Sequence, residues 1–237
     1  SSGVPVLSSN LYENNAGYPI QVNSAVSQSA IDTASAFIGN GDNRIYTSYS
    51  ELKSSMHMIL VNPGIPYFAG SLQVSEGAVL TIEPGTEIHL ENSLKAGDNN
   101  STGTLIAQGT SQDPIVFKPS DDHRNPNIDF TADTGEGSLL SHCTLDKVYV
   151  VIRNSEPAVE DCTIKNSISY GLAIENGAVP TLSGNTYENN ATVPISLARA
   201  ESVSAIDDTS VFINNGDDRI HVPYRYQNVQ PTDITMA

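Results

Sequence analysis

The sequence predicts an all-β fold, a parallel β-helix in which short strands stack coil upon coil, with an irregular loop around residues 120–137. Three observations predict it. Residues 7–45 return as 182–220, shifted by 175 positions without a gap and with about 24 of 39 positions identical, the mark of an architecture that grows by repetition. Short alternating segments rich in β-branched residues are separated by Gly, Asn, Asp and Pro, and no stretch sustains an apolar period of 3.6 with helix caps. Finally, Cys143, Cys162 and Asn185 occupy matching places in SHCTLDK, VEDCTIKN and LSGNTYENN, and the interval from each to the next fits one coil.

Composition bounds the function. The 237 residues carry 11 basic and 27 acidic side chains, a formal net charge of −16. That field repels phosphate, so nucleic acid and anionic lipid are not the expected partners, and cations or a cation-rich medium fit better. No apolar run approaches the roughly 18 residues that cross a bilayer, so no membrane insertion of this segment is expected. The chain starts at Ser1 without a basic, apolar leader, which is read as a processed or engineered start. Two cysteines do not make a disulfide framework and leave the redox compartment open. One continuous body is expected. Residues 1–52 form a partial first repeat, and 53–237 continue the helix into the second copy at 182–220.

Taken in order, the block at 7–45 holds LSSNLYENNAGYPI and AIDTASAFIGNGDNRI, matched by LSGNTYENNATVPI and AIDDTSVFINNGDDRI in the copy. In VLTIEPGTEIHL, residues 79–90, Leu80 and Ile82 share a face, Pro84-Gly85 forces a turn, and Ile88 and Leu90 resume the face while Thr81, Glu87 and His89 point to water. The next segment repeats this, with Leu105 and Ala107 inward, Gly109 turning, and Ile115 and Phe117 inward. Strands this short need neighbours above and below to bury anything. The stretch SDDHRNPNIDFTADTGEGS at 120–138 is polar and rich in turn residues, which makes it the irregular part. From 138 to 190 the coils are regular. Cys143, Cys162 and Asn185 then form an internal ladder, a small polarizable stack continued by amide hydrogen bonds. A disulfide between the two cysteines is the other arrangement their spacing allows.

The block IPYFAGSLQVSEGAVLTIEPGTEIHL followed by GTLIAQGTSQDPIVFKPS resembles the entry module of right-handed parallel β-helix repeat domains found in bacterial and archaeal secreted and cell-surface proteins. The matches are Leu80, Ile82, Pro84, Gly85 and Thr86, then Gly103, Leu105, Ala107, Gly109, Thr110, Pro114, Ile115 and Phe117. The GN-x-YENN-x-x-PI element from Asn185 to Ile195 is similar to the late coils of these modules. The resemblance implies a right-handed helix and an extracellular or cell-surface setting. It implies no particular activity, because coil-shaping residues define the family. Such modules usually follow the PI-x-F strand with a Trp-Gly-Ile coil, whereas this chain has no Trp.

The candidate sites follow from side-chain chemistry. Asp121, Asp122, His123 and Arg124 gather acid, base and cation as a carbohydrate-active catalytic set would, and a solvated turn capped by the Asp side chains is the alternative. For a metal, Ca²⁺ is the ion that Asp42, Asp217 and Asp218 in GDNR and GDDR would take. The alternative is a coil corner in which Asn40-Gly41 and Asn215-Gly216 supply positive φ and the Asp pairs with Arg44 or Arg219. Asp129, Asp133 and Glu136 are a further metal candidate. No other cofactor is expected. Asn99, Asn100 and Asn190 lie in glycosylation sequons.

These readings converge on a non-enzymatic extracellular structural protein, a β-helical building block of a surface filament, sheath, stalk or adhesin. Its expected partners are copies of itself, head to tail, or neighbouring repeats of a tandem array. The physical argument is that a β-helix without caps exposes strand edges and core at its ends. Residues expected at the contacts are Leu7, Tyr12, Pro19 and Ile20 at one end, with Tyr187, Pro194, Ile195, Tyr224 and Tyr226 towards the other. The competing reading is a carbohydrate-active or carbohydrate-binding β-helix that meets surface glycans through the loop at 120–136.

Overall fold

Alternation makes the strands. In Ala78–Ile82 the side chains of Ala78, Leu80 and Ile82 are buried while Val79 and Thr81 lie half out, and Glu87–Leu90 repeats the pattern with Ile88 and Leu90 inside. No named strand buries more than three side chains, so its stability comes from the strands one coil before and after it. The computed structural model describes residues 7–22, 31–32, 34–48, 51–58, 65–98, 100–122 and 124–222.

Every pairing between named strands is parallel, and the strands fall into three long columns around one core. A nine-stranded face runs from Ile20–Val22 through Ile45–Thr47, Tyr67–Ala69, Glu87–Leu90, Ile115–Pro119, Cys143–Asp146, Thr163–Lys165 and Thr186–Glu188 to Val211–Ile213. A seven-stranded face runs from Glu51–Leu52 to Ile195–Leu197, and a six-stranded face from Met56–Met58 to Thr181–Ser183. From Ile45 onward the chain visits the nine-, seven- and six-stranded faces in that order, coil after coil. Inside the nine-stranded face Tyr67, Ile88, Phe117, Leu145, Ile164 and Tyr187 lie in register as one fully buried column. Each such side chain contributes about 1.5–3 kcal/mol of burial.

Single left-handed residues turn the corners. Lys147, Asn166, Asn189 and Asn214 each follow a strand of the nine-stranded face with φ between 53° and 60°. Asn tolerates this region better than most side chains, which explains its abundance there. In the GDNR and GDDR corners the positive φ falls on Gly39 (64°) and Asn214 (53°), one residue ahead of the Asn-Gly pairs expected to supply it. Gly41 and Gly216 serve a different need. A Cβ on either would lie 2.3 or 2.2 Å from the carbonyl oxygen of Ala16 or Ala191 in the adjoining coil.

The two copies of the repeat sit on different faces. Leu11–Glu13 pairs with Ala36–Ile38 in a two-stranded sheet, one place ahead of Ile20–Val22 and Ile45–Thr47 on the nine-stranded face. Their counterparts Thr186–Glu188 and Val211–Ile213 are themselves on the nine-stranded face, and Ile195–Leu197 is on the next. The offset between the copies is therefore a whole number of coils plus one third.

Within the irregular stretch, Asn127–Phe130 is a regular strand paired with Ser93–Ala96 and Tyr149–Arg153. Among the described residues the irregular backbone is confined to 120–122, 124–126 and 131–137, and Ser120 lies beside the outer surface of the nine-stranded face.

Candidate functional site

The outward side chains of the nine-stranded face form a column, and its first members are Gln21, Tyr46, Phe68, His89 and Lys118. Tyr18, from the preceding corner, stacks on Tyr46 with ring centroids 4.9 Å apart, and Tyr46 stacks on Phe68 at 5.3 Å. The Arg44 guanidinium covers Phe68 at 4.6 Å from the ring centroid. Asp42 holds that guanidinium from two sides, with Nη2 2.6 Å and Nε 2.9 Å from its carboxylate oxygens. Its Nη1 donates to the carbonyl oxygen of Ser120 at 3.3 Å and lies 3.4 Å from His89 Nδ1. His89 Nε2 is 2.6 Å from Glu87 Oε1, to which Lys118 Nζ also donates at 3.1 Å. These contacts assign His89 the Nε2–H tautomer, with Nδ1 as the acceptor.

The GDNR corner and the loop beginning at Ser120, separate in sequence, thus form one cluster. The loop's own charges extend it, with Arg124 donating to Glu91 at 2.7 Å and to Asp121 at 3.4 Å, and Lys147 to Asp122 at 2.6 Å. His123 lies outside the described residues. The hydrogen bond from Arg44 holds the Asp42 carboxyl below its ordinary range, against a smaller opposing effect of burial. Burial pushes Glu87 upward, but hydrogen bonds from His89 and Lys118 outweigh it and leave the group below its ordinary value.

Chemically, this cluster ties a loop down. Glycoside hydrolysis needs one carboxyl held protonated as the acid beside a second held charged, whereas Asp42 and Glu87 are both driven towards the charged form. Asp121 and Asp122 are each bound to a cation. The three rings pack on one another and Arg44 covers one face of Phe68. Tyr18, Tyr46, Phe68, Glu87 and His89 are not legible as a group in the sequence. The only signal is that Tyr46, Phe68 and His89 are outward residues spaced by 22 and 21 positions, one coil each.

The other expected sites lie elsewhere. Asp217 pairs with Arg219 at 2.6 Å, and hydrogen bonds from Arg219 push its pKa down to about 2. Asp218 accepts from the Asn215 backbone at 2.8 Å. Asp129, only 7% exposed, is bound by Arg153, which also donates to Glu175 at 3.0 Å. Asp133 offers its backbone carbonyl to Gly103 at 3.2 Å, and Glu136 is exposed. Asp129, Asp133 and Glu136 do not converge. Among the described residues no three His, Cys, Asp or Glu side chains come together as a metal-binding group.

The internal ladder is present. The Cys143 backbone donates to Cys162 Sγ at 3.4 Å, Cys162 to Asn185 Oδ1 at 3.0 Å, and Asn185 to Ser210 Oγ at 3.1 Å. Both thiols are free and 1% exposed, and burial pushes the Cys143 thiol up, away from a reactive thiolate. A second ladder runs from Ser167 through Asn190 to Asn215, each step 3.1 Å. This corrects the expectation of a glycan at Asn190, which is 1% exposed and whose Nδ2 donates to Ile164 O and Asn215 Oδ1. Asn100 is exposed, and Asn99 lies outside the described residues.

The expected contact residues also need correction. Tyr187, Pro194 and Ile195 are buried beneath the coil at 211–222, because a following coil covers them. At that end Val203, Ile206, Phe212, Ile220 and Val222 are partly exposed core residues, while Leu7, Tyr12, Pro19 and Ile20 are partly exposed at the other. Tyr224 and Tyr226 lie outside the described residues.

Residues 69–222 match a family model described as a right handed beta helix region. No curated protein and no solved structure matches the chain.

Proposed function

The chain belongs to the right-handed β-helix family, and we propose that it is a non-enzymatic extracellular building block of a surface filament, sheath or stalk, whose end coils stack on a second copy. The observation that carries this reading is a coil-to-coil contact made twice with the same chemistry. Asn15 donates to Asn40 Oδ1 and Asn190 to Asn215 Oδ1, all at 3.1 Å. Asn10 donates to Ser35 Oγ and Asn185 to Ser210 Oγ, again at 3.1 Å. Tyr12 stacks on Phe37 at 5.1 Å, as Tyr187 packs on Phe212 at 5.5 Å. Coils of this type are built to fit their own kind, as repeat architectures require. The acidic surface, with −16 net charge, suits a cation-rich exterior.

Sedimentation velocity with negative-stain microscopy of the purified chain tests this. The expected result is unbranched filaments of uniform width that lengthen with concentration. Discrete particles at every concentration would contradict it.

A further inference from the structure

We infer that the coil at Leu7–Val22 is the docking surface for the coil at Val211–Val222 of a second copy, set one face, or about 120°, further round the solenoid axis. This rests on the stacking reading above and adds its geometry.

The amide ladder shows which coil type belongs there. Each rung accepts a backbone N–H from the coil before it and donates its Nδ2 to a carbonyl of that same coil. Asn190 donates to Ile164 O, Asn215 to Tyr187 O and Asn40 to Tyr12 O, each at 3.1 Å. Asn15 is a rung of the same ladder, and no rung precedes it among the described residues. Its Nδ2 donates to Asn40 Oδ1 at 2.7 Å, as that of Asn190 does to Asn215 Oδ1 at 2.9 Å, but to no carbonyl of a preceding coil among the described residues, and its Oδ1 accepts nothing among them. At the far end the Asn215 backbone N–H, which a following Asn would receive, is taken by Asp218 Oδ1 at 2.8 Å. Stacking Val211–Ile213 on Leu11–Glu13 would let the Asn215 N–H exchange Asp218 for Asn15 Oδ1 and would offer Asn15 Nδ2 a carbonyl of the preceding coil.

The same placement continues the columns of described residues on two faces. The interior would read Tyr187, Phe212, Tyr12, Phe37, an aromatic pair followed by an aromatic pair. Outside, Val211, 48% exposed, would meet Leu11, 56% exposed, which covers apolar surface on both. Ile220 and Val222 would lie over Ile20 and Val22, as Ile45 and Thr47 do within one chain.

The rotation follows from the faces. Val211–Ile213 is on the nine-stranded face, whereas Leu11–Glu13 lies one face ahead of it. Stacking without rotation would set Phe212 on Ile20 and Ile213 on Gln21, in phase with the inward column that runs from Ile20 to Phe212, so it is the amide ladder and the aromatic pairs that require the rotation.

Paired cysteines test this on the full chain, with each single variant as control and folding verified by circular dichroism. Glu13, Gln21 and Ile213 are exposed, and the native cysteines are buried. Glu13→Cys with Ile213→Cys should give an intermolecular crosslinked series under oxidation, because adjoining strands place such residues within disulfide reach. Gln21→Cys with Ile213→Cys should not. Crosslinking of the second pair instead would overturn the rotation and leave stacking intact. Crosslinking of neither pair in chains that still sediment as assemblies would overturn the docking surface. Crosslinking of neither, with no assembly, would remove the stacking reading and this inference together.

Discussion

Asn185 shows how one side chain can hold two coils. Its Oδ1 accepts from Cys162 at 3.0 Å and its Nδ2 donates to Val159 O at 2.8 Å, all in the core. Asn185→Ala leaves a buried N–H and a buried carbonyl unpaired, so urea unfolding should show a loss of about 2–4 kcal/mol. Asn100→Ala, on an exposed side chain, should change stability by less than about 0.5 kcal/mol. Gly216→Ala tests a different constraint, since its methyl would meet a backbone oxygen at 2.2 Å that no rotamer can move. It should lower stability by about 1–3 kcal/mol. The Cys143, Cys162, Asn185 ladder was legible because like places recur at coil spacing. The fate of Asn190 was not, because an Asn-x-Thr triplet reads the same whether its amide meets solvent or a neighbouring rung.

The corner at Asp42–Arg44 and the loop at 120–126 behave as one element. Arg44→Ala removes the partner of Asp42, the cover of Phe68 and the donor to Ser120, so limited proteolysis should cut 120–126 faster while the core strands stay protected. The same variant has a pH signature. Asp42 has a folded pKa below its unfolded value, so the folded state binds fewer protons and unfolding takes protons up. The stabilisation is complete above the ordinary carboxylate pKa near 4 and is lost as pH falls through the lower folded value. Denaturant midpoints measured between about pH 7 and pH 3 should therefore fall less steeply with acid in Arg44→Ala than in the parent chain. An equal slope in both would contradict the role given to Arg44. Both sequence motifs were readable separately. Their meeting was not, because it depends on the strand register that brings Ser120 beside Arg44, 76 positions away.

For the whole molecule, the repeat was visible in the sequence but its rotation was not. Coil lengths vary, since Leu145 to Ile164 is a short coil and Ile88 to Phe117 a long one, yet each is a single step between paired strands. The offset between the two copies therefore cannot be converted to turns without the pairing. The proposed contact would join different surfaces of two copies, so it would be heterologous and would propagate without closing. The nine strands of the longest face span eight coil steps, and Leu11–Glu13 adds one third of a coil before the first. In the proposed assembly one more step would join the next copy, which would set the axial repeat at about 45 Å for coils stacked about 4.8 Å apart. Helical reconstruction of the filaments by electron cryomicroscopy measures both quantities at once. The account predicts a rise of about 45 Å with a rotation of about 120° per subunit. A rotation near zero, or a purified chain that forms no filament, would contradict it.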